Sequence, residues 1–280
     1  MLRFVLTCTL VIAFPFWPSH GFDFFRPKAN GMGRTIVMSE ISSVNALSLP
    51  SLGFKPGQWD IAAGYNRRFE LADLDQLFVT GAYRYRFLTF AAGTSQFGKT
   101  ELYAEQVLKG SIAYNAKFWS AAILLSAMNI EIGNGYGGLR AATIGIGGTY
   151  RYSDFIVGVT ADDLTSPQLA PASERRRPTY DIYLEMIGKS SYSITARLRM
   201  QSEQQPVFGL GQTIKLSGRS AVLWGVSTEP FEFGAGLELS LAAGKFSYAT
   251  SVHPVLGFTH SVSISYGPSE TSATRKGEFD

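Results

Sequence analysis

From about residue 58 onward the chain alternates. In the run from Tyr192 to Met200, Tyr192, Ile194, Ala196, Leu198 and Met200 share one side, and Ser193, Thr195, Arg197 and Arg199 share the other. A period of two is that of a strand with one apolar and one polar face; a helix would mix the two sets. Trp59, Ile61, Ala63 and Tyr65 alternate in the same way with Asp60, Ala62, Gly64 and Asn66, and Leu77, Val79, Tyr83 and Tyr85 with Thr80, Arg84 and Arg86. Tyr180, Ile182, Leu184 and Met186 alternate with Asp181, Tyr183 and Glu185. Phe233, Ala235, Leu237 and Leu239 alternate with Gly234, Gly236 and Glu238, and Phe258, Val262, Ile264 and Tyr266 with Thr259, Ser261, Ser263 and Ser265.

The breaks between these segments are alternately short and long. Short ones fall near Phe87-Leu88, Lys117, Ser153, Lys189-Ser190, Ser217-Gly218 and Ala243-Gly244. Longer ones fall near 70–75, 95–105, 131–138, 162–178, 202–206, 228–231 and 253–257. Tight turns on one side and longer loops on the other are the pattern of a closed antiparallel transmembrane β-barrel. The count is about fourteen strands, with twelve as the alternative because 88–96 and 118–130 alternate poorly. Aromatic residues gather near the strand ends, among them Trp59, Phe69, Tyr85, Tyr114, Trp119, Tyr150, Tyr180, Tyr192, Phe231, Phe246 and Tyr266. Tyr and Trp belts at both interfaces are expected of a membrane barrel. A soluble β-sandwich or propeller also alternates, but the aromatic ends, the even strand count and the export signal described next weigh against it.

Composition agrees. Charged residues make up 17% of the chain, against roughly 25% in soluble domains, while mean hydropathy is near neutral. Strands that show lipid one face and water the other have this balance. Met1-Leu2-Arg3 followed by the uncharged run Phe4 to Phe16, with Ser19 and Gly21 beyond it, reads as a signal peptide over 1–21. After it no apolar run reaches 18 residues, so a membrane location requires a closed barrel, in which every backbone N–H and C=O is paired. The barrel is assigned to 58–267 and a polar tail to 268–280. An even strand number puts both termini in the periplasm of a Gram-negative outer membrane. Residues 22–57 do not alternate; they have a helix-capable stretch around Ile36 to Val44 and are read as a segment filling the lumen, with a periplasmic cap or leader as the alternative.

The only cysteine, Cys8, lies in the signal peptide, which excludes disulfides, thiol catalysis and cysteine metal sites in the mature chain. No Gly-x-Ser-x-Gly element or Ser/His set is evident, so no catalytic residue, metal or cofactor is assigned. Asp162-Asp163 and Asp73 with Asp75 read as solvated loop acids rather than a calcium site. The small net charge of +3 gives no sign of nucleic-acid binding; the one basic run, Arg175 to Arg177, reads as a solvated loop that is also able to meet acidic lipopolysaccharide. The polar face does carry charge of both signs: Arg84, Arg86, Arg151, Arg197 and Arg199 with Asp60, Asp181, Glu185, Glu232 and Glu238. Mixed signs favour a paired network that closes the lumen over an ion-selective pore.

Two ends carry motifs. Near the start stand Gly31-Met32-Gly33 and then Asn45-Ala46-Leu47-Ser48-Leu49-Pro50. The last hairpin reads Phe246-Ser247-Tyr248-Ala249, then His253-Pro254-Val255-Leu256-Gly257-Phe258-Thr259-His260 and a Ser-rich strand. This combination resembles the FadL-type barrels and, within them, PorV/PorQ-type proteins. The resemblance implies a partner of the type IX secretion or surface-attachment machinery; the alternative is a FadL-like channel for hydrophobic compounds. His253 and His260 are read as structural groups at the hairpin rim. Glycines at 145, 147 and 148 or at 234 and 236 are candidates for a wall kink, or simply relieve crowding.

Overall fold

The computed structural model describes residues 27–50, 52–133, 137–168, 175–188, 192–242 and 244–268. The expected signal peptide and nearly all of the polar tail lie outside these residues. Fourteen strands form one closed antiparallel barrel: β1 Trp59–Arg67, β2 Asp75–Tyr85, β3 Leu88–Lys99, β4 Tyr103–Asn115, β5 Trp119–Ile132, β6 Gly137–Tyr152, β7 Phe155–Asp162, β8 Thr179–Ile187, β9 Tyr192–Gln201, β10 Val207–Lys215, β11 Ser220–Ser227, β12 Glu232–Leu241, β13 Gly244–His253 and β14 Gly257–Tyr266. Each strand pairs with its neighbours in sequence, and β1 closes on β14 from Ile61 opposite Tyr266 to Arg67 opposite His260. Closure removes every open sheet edge.

The alternation has a physical reason. Outward positions are apolar and exposed, as at Leu77, Leu108, Ile123 and Ile146, all more than half exposed. Inward positions are small and polar and buried: Thr80, Ser95, Ser111, Thr149, Thr160, Thr195, Thr213, Ser247 and Ser261. This is the reverse of a soluble fold and suits a barrel set in lipid. The poorly alternating stretches 88–96 and 118–130 are β3 and β5. They read weakly because Ala91, Ala92, Gly93, Ala121 and Ala122 put small residues on both faces.

Exposed aromatics ring the end that carries the short turns: Tyr85, Phe87, Tyr114, Phe118, Trp119, Tyr150, Tyr152, Phe155, Tyr192 and Tyr266, with half-buried Trp59 among them. Several touch: Trp59 and Tyr266 have ring centroids 5.2 Å apart, and Tyr114 lies 5.4 Å from both Phe87 and Trp119. Phe69 does not join a belt. In the β1–β2 loop it adopts φ 54°, which turns it back to meet His253 edge-on at 5.9 Å.

Residues 27–50 and 52–54 lie inside the barrel. Two short helices form there, α1 Pro27–Gly31 and α2 Ser43–Ala46, the second capped by the Ser42 side chain accepting from the Asn45 N–H. The stretch from Ile36 to Ser42, expected as helix-capable, is not helical. Its backbone donors are taken by the wall instead, because Met38 N and Ser39 N both donate to Glu185.

A closed barrel in the membrane resists detergent until it is heated. Unboiled protein extracted from membranes is expected to run faster on a denaturing gel than boiled protein; identical mobility, or recovery in the soluble periplasm, would exclude this fold.

Candidate functional site

The inner segment meets the wall first through glycine. Residues 30–33 run against β10–β12 so closely that backbone touches backbone. A Cβ on Gly225 would fall 2.3 Å from the Met32 carbonyl carbon, one on Gly234 2.4 Å from Asn30 O, and one on Gly209 2.3 Å from Gly33 O. The other side is equally bare: a Cβ on Gly33, where φ is +61°, would fall 2.1 Å from Val226 O, and one on Gly31 would strike the Leu223 side chain at 2.2 Å. The Gly31-Met32-Gly33 motif is therefore one half of a glycine-on-glycine seat. Gly234 belongs to that seat rather than to a wall kink, and Gly147 leaves room for Pro50. Met32 is fully buried, and its sulfur accepts the Thr213 hydroxyl at 3.3 Å.

Apolar side chains fill what remains. Val44, Ala46, Leu47 and Phe54 pack on Phe78, Ala82, Ala91, Val107, Met128 and Ile130. Ile36, Met38 and Leu49 pack on Ile156 and Tyr183.

Charged wall residues hold the segment's polar groups. Glu185 on β8 accepts Met38 N at 2.6 Å, Ser39 N at 2.9 Å and Ser39 Oγ at 2.5 Å. Asp60 on β1 accepts both Ser43 N and Ser43 Oγ at 2.6 Å, and that hydroxyl also meets Thr80 at 2.7 Å. Glu232 pairs with Arg34 at 2.7 Å. Arg84 donates to the Phe54 carbonyl. On β8–β9, Arg197 donates to Asp181 at 2.8 Å and to the Arg34 carbonyl at 3.1 Å, while Arg199 binds both Asp181 oxygens at 3.0 and 3.1 Å.

A four-membered ion cluster ties the segment to the last strands. Lys28 Nζ meets Glu40 at 2.7 Å and Glu238 at 3.1 Å, and Lys245 meets the other Glu40 oxygen at 2.7 Å. Burial penalises the Lys28 ammonium, but Glu238 and Glu40 outweigh this and hold its pKa above the ordinary lysine value. Burial likewise penalises the Glu40 carboxylate, and Lys245 and Lys28 outweigh it and hold its pKa below the ordinary glutamate value.

The inward charges thus form a docking surface more than a network within the wall. Of the ten residues expected in a lumen network, Asp60, Arg84, Glu185, Glu232 and Glu238 bind the inner segment; Asp181, Arg197 and Arg199 pair among themselves, Arg197 reaching the segment as well. Two depart from that expectation. Arg86 sits in the β2–β3 turn at φ 52°, exposed, with its guanidinium 5.3 Å from the Tyr85 ring, because the strand ends one residue before it. Arg151 faces inward at the turn end of β6, opposite Ile156, but joins none of the ion pairs found among the described residues. Lys28, Arg34, Glu40 and Lys245 were not anticipated. The first three lie where nothing alternates, and Lys245 begins a strand beside a turn, so no period marked them.

At the opposite end, His253 is a turn cap: its Nδ1 accepts Val255 N and Leu256 N at 3.1 Å across Pro254, before Gly257 at φ +90°. His260 faces outward, hydrogen-bonded to Tyr248 at 2.8 Å and stacked on Phe258. Asn45 steadies the segment through its Nδ2 to Val37 O at 3.1 Å. Asp163 is not a solvated loop acid; it is buried and paired with Arg176 at 2.6 Å, and Arg177 pairs with Glu203. Asp75 pairs with Arg67 at 3.0 Å and Asp73 with Lys99 at 2.6 Å. Among the described residues no group of three His, Cys, Asp or Glu side chains is placed to hold a metal.

These features define a class: a closed fourteen-strand antiparallel barrel whose lumen is occupied by its own N-terminal segment. No family model and no characterised protein matches the sequence. Solved structures do. The Ralstonia pickettii toluene transporter TbuX superposes with a TM-score of 0.63 at 12% identity, covering 88% of this chain and 98% of that one. The P. putida toluene transporter TodX gives 0.63 at 11% identity over 88% and 98%. A Pseudomonas aeruginosa FadL homologue gives 0.60 at 9% identity over 86% and 98%. At these identities the likeness is one of fold, and the fold is that of the FadL-type barrels. These neighbours are not PorV/PorQ-type proteins.

Both parts of the docking surface can be tested by limited proteolysis of residues 27–50 in the folded barrel. Gly225→Val forces a side chain into the seat, a clash of the kind that costs about 1–3 kcal/mol. Glu185→Ala leaves the buried Met38 N–H and the half-buried Ser39 N–H without their acceptor, at about 1–3 kcal/mol. Each is expected to raise cleavage in 27–50 while the heat-modifiable gel shift is retained. Unchanged protection in both would refute the docking role.

The ion cluster sets a pH window. Glu40, lowered, contributes stability above its ordinary pKa of 4.5 that is lost as pH falls through the lowered value. Lys28, raised, contributes stability below its ordinary 10.5 that is lost only as pH rises through the raised value. Protection of 27–50 should therefore be flat from about pH 5 to pH 10 and decline in acid. Glu40→Gln should reduce that acid decline, which a pH series of cleavage rates will show.

Proposed function

We propose that this chain is a non-enzymatic outer-membrane channel for small hydrophobic compounds in a Gram-negative bacterium, with both termini periplasmic and the long loops outside. The observation that carries this reading is a lumen filled by a wall-docked segment within a barrel of the same fold as toluene transporters. A lumen packed in this way is unsuited to a general water-filled pore. It suits a path on which an apolar solute leaves water, is held among side chains and passes on. The exposed apolar belt supplies the lipid contact, and lipid is the partner that the fold requires. The basic run Arg175 to Arg177 offers little to lipopolysaccharide, since Arg176 and Arg177 are already paired within the loops.

A second reading, as a PorV/PorQ-type secretion or attachment partner, rests on the hairpin around His253, Pro254, Gly257 and His260. The structure gives that motif a local task, capping a turn, which any barrel hairpin can use. The channel reading therefore stands first.

Cells lacking the gene should take up toluene more slowly than cells carrying it, and proteoliposomes should admit toluene while showing ion conductance near baseline. Equal uptake in both strains, together with copurification of secretion-machinery proteins after crosslinking, would overturn the channel reading in favour of the second.

A further inference from the structure

The two ends of the barrel carry charge differently. At the loop end cations meet acids: Arg67 pairs with Asp75, Lys99 with Asp73, Arg176 with Asp163 and Arg177 with Glu203. Glu70, Glu101 and Glu229 add exposed acids there. At the short-turn end the exposed charge is nearly all of one sign. Lys55 precedes β1, Arg86 lies in the β2–β3 turn, Lys117 in the β4–β5 turn, and Lys215 and Arg219 flank the β10–β11 turn. All are exposed, and none joins an ion pair among the described residues. Among the described residues the exposed acid at this end is Asp154, in the β6–β7 turn.

Two of these cations are held at a definite height. The Arg86 guanidinium lies 5.3 Å from the Tyr85 ring centre, and the Lys117 ammonium 5.2 Å from that of Phe118. Both rings are exposed members of the aromatic belt, and such belts sit at the level of the lipid headgroups. The cations stand beside phosphates rather than in bulk water. They also surround the wall: the β2–β3 and β10–β11 turns lie on nearly opposite sides of the fourteen-strand ring. A single docked protein covers one arc of such a ring, whereas a lipid leaflet meets its whole circumference. A merely solvated rim would mix both signs, as the loop end does.

We infer that Arg86, Lys117, Lys215 and Arg219 form a basic collar that binds the phosphate headgroups of anionic phospholipid, of the phosphatidylglycerol type, in the leaflet meeting the short turns. The inference rests on the membrane barrel and not on the channel reading. Exposed Lys and Arg near a bilayer attract anionic lipid over a distance of about one Debye length. The acyl chains of the same lipid lie against the apolar outward residues, so one molecule meets the cation and the wall together. A zwitterionic lipid offers the phosphate but carries its own ammonium beside it, and gains less.

The test reconstitutes the full-length barrel in phosphatidylcholine vesicles and measures, by spin-labelled lipid, the fraction immobilised at the wall. Spin-labelled phosphatidylglycerol is expected to associate roughly fivefold more strongly than spin-labelled phosphatidylcholine at low salt, the weight of about one cation near the surface. The preference should shrink at about 1 M salt, where the Debye length is about 3 Å. The combined variant Arg86→Gln, Lys117→Gln, Lys215→Gln, Arg219→Gln should bring the two lipids close to equality, with the heat-modifiable gel shift confirming a folded barrel. Should that variant fail to fold, the pair Arg86→Gln, Lys117→Gln is expected to lose part of the preference. Equal association of both lipids with the unaltered barrel overturns the proposal, as does a preference that survives these substitutions. No lipid preference, with polyglutamate retained by the unaltered barrel and not by the combined variant, overturns it in favour of an acidic protein partner. Toluene entry into the same vesicles is independent of the collar, so loss of the channel reading leaves this one standing and the reverse.

Discussion

A chain that runs through the inside of a barrel brings with it backbone N–H and C=O groups that no strand ladder satisfies. In this protein the wall supplies the missing partners, and everything else about the lumen depends on that. Glu185 gathers three donors from Met38 and Ser39, Asp60 gathers two from Ser43, and Arg84 and Arg197 serve the carbonyls of Phe54 and Arg34. Buried polar groups without such partners would cost more than the apolar packing around them returns. The absence of helix over Ile36–Ser42 follows from the same exchange, since donors that bind the wall are not spent on an i→i−4 ladder.

Glycine solves the steric half of the problem. Main chain approaches main chain here where at least one side lacks a Cβ, as at Gly33, Gly209, Gly225 and Gly234, while Gly31 leaves room for the Leu223 side chain. The fit is close on one side of the lumen. Toward the loop end the wall is charged, and Lys109 and Asp162 face a cavity with room for about one water.

The barrel itself was legible because lipid and lumen impose opposite chemistry on alternate residues. Strand number, turn order and the faces of Asp60, Asp181, Glu185, Arg197 and Arg199 all follow from a period of two. Arg86 was misread because alternation does not say where a strand stops, and Phe69 because a left-handed turn reverses a side chain without any change in composition. Asp163 was misread because a loop that folds inward looks, in sequence, like one that does not.

The sequence by itself determined the barrel: one residue in two must be apolar for lipid, and this requirement is written locally along each strand. Which wall charge meets which group of the inner segment was decided only in three dimensions. Lys28 and Glu238 are 210 positions apart, and Lys245 and Glu40 are 205. Pairings of that kind leave no local period; they exist because closure of the barrel brings β12 and β13 around to face the first residues of the described chain.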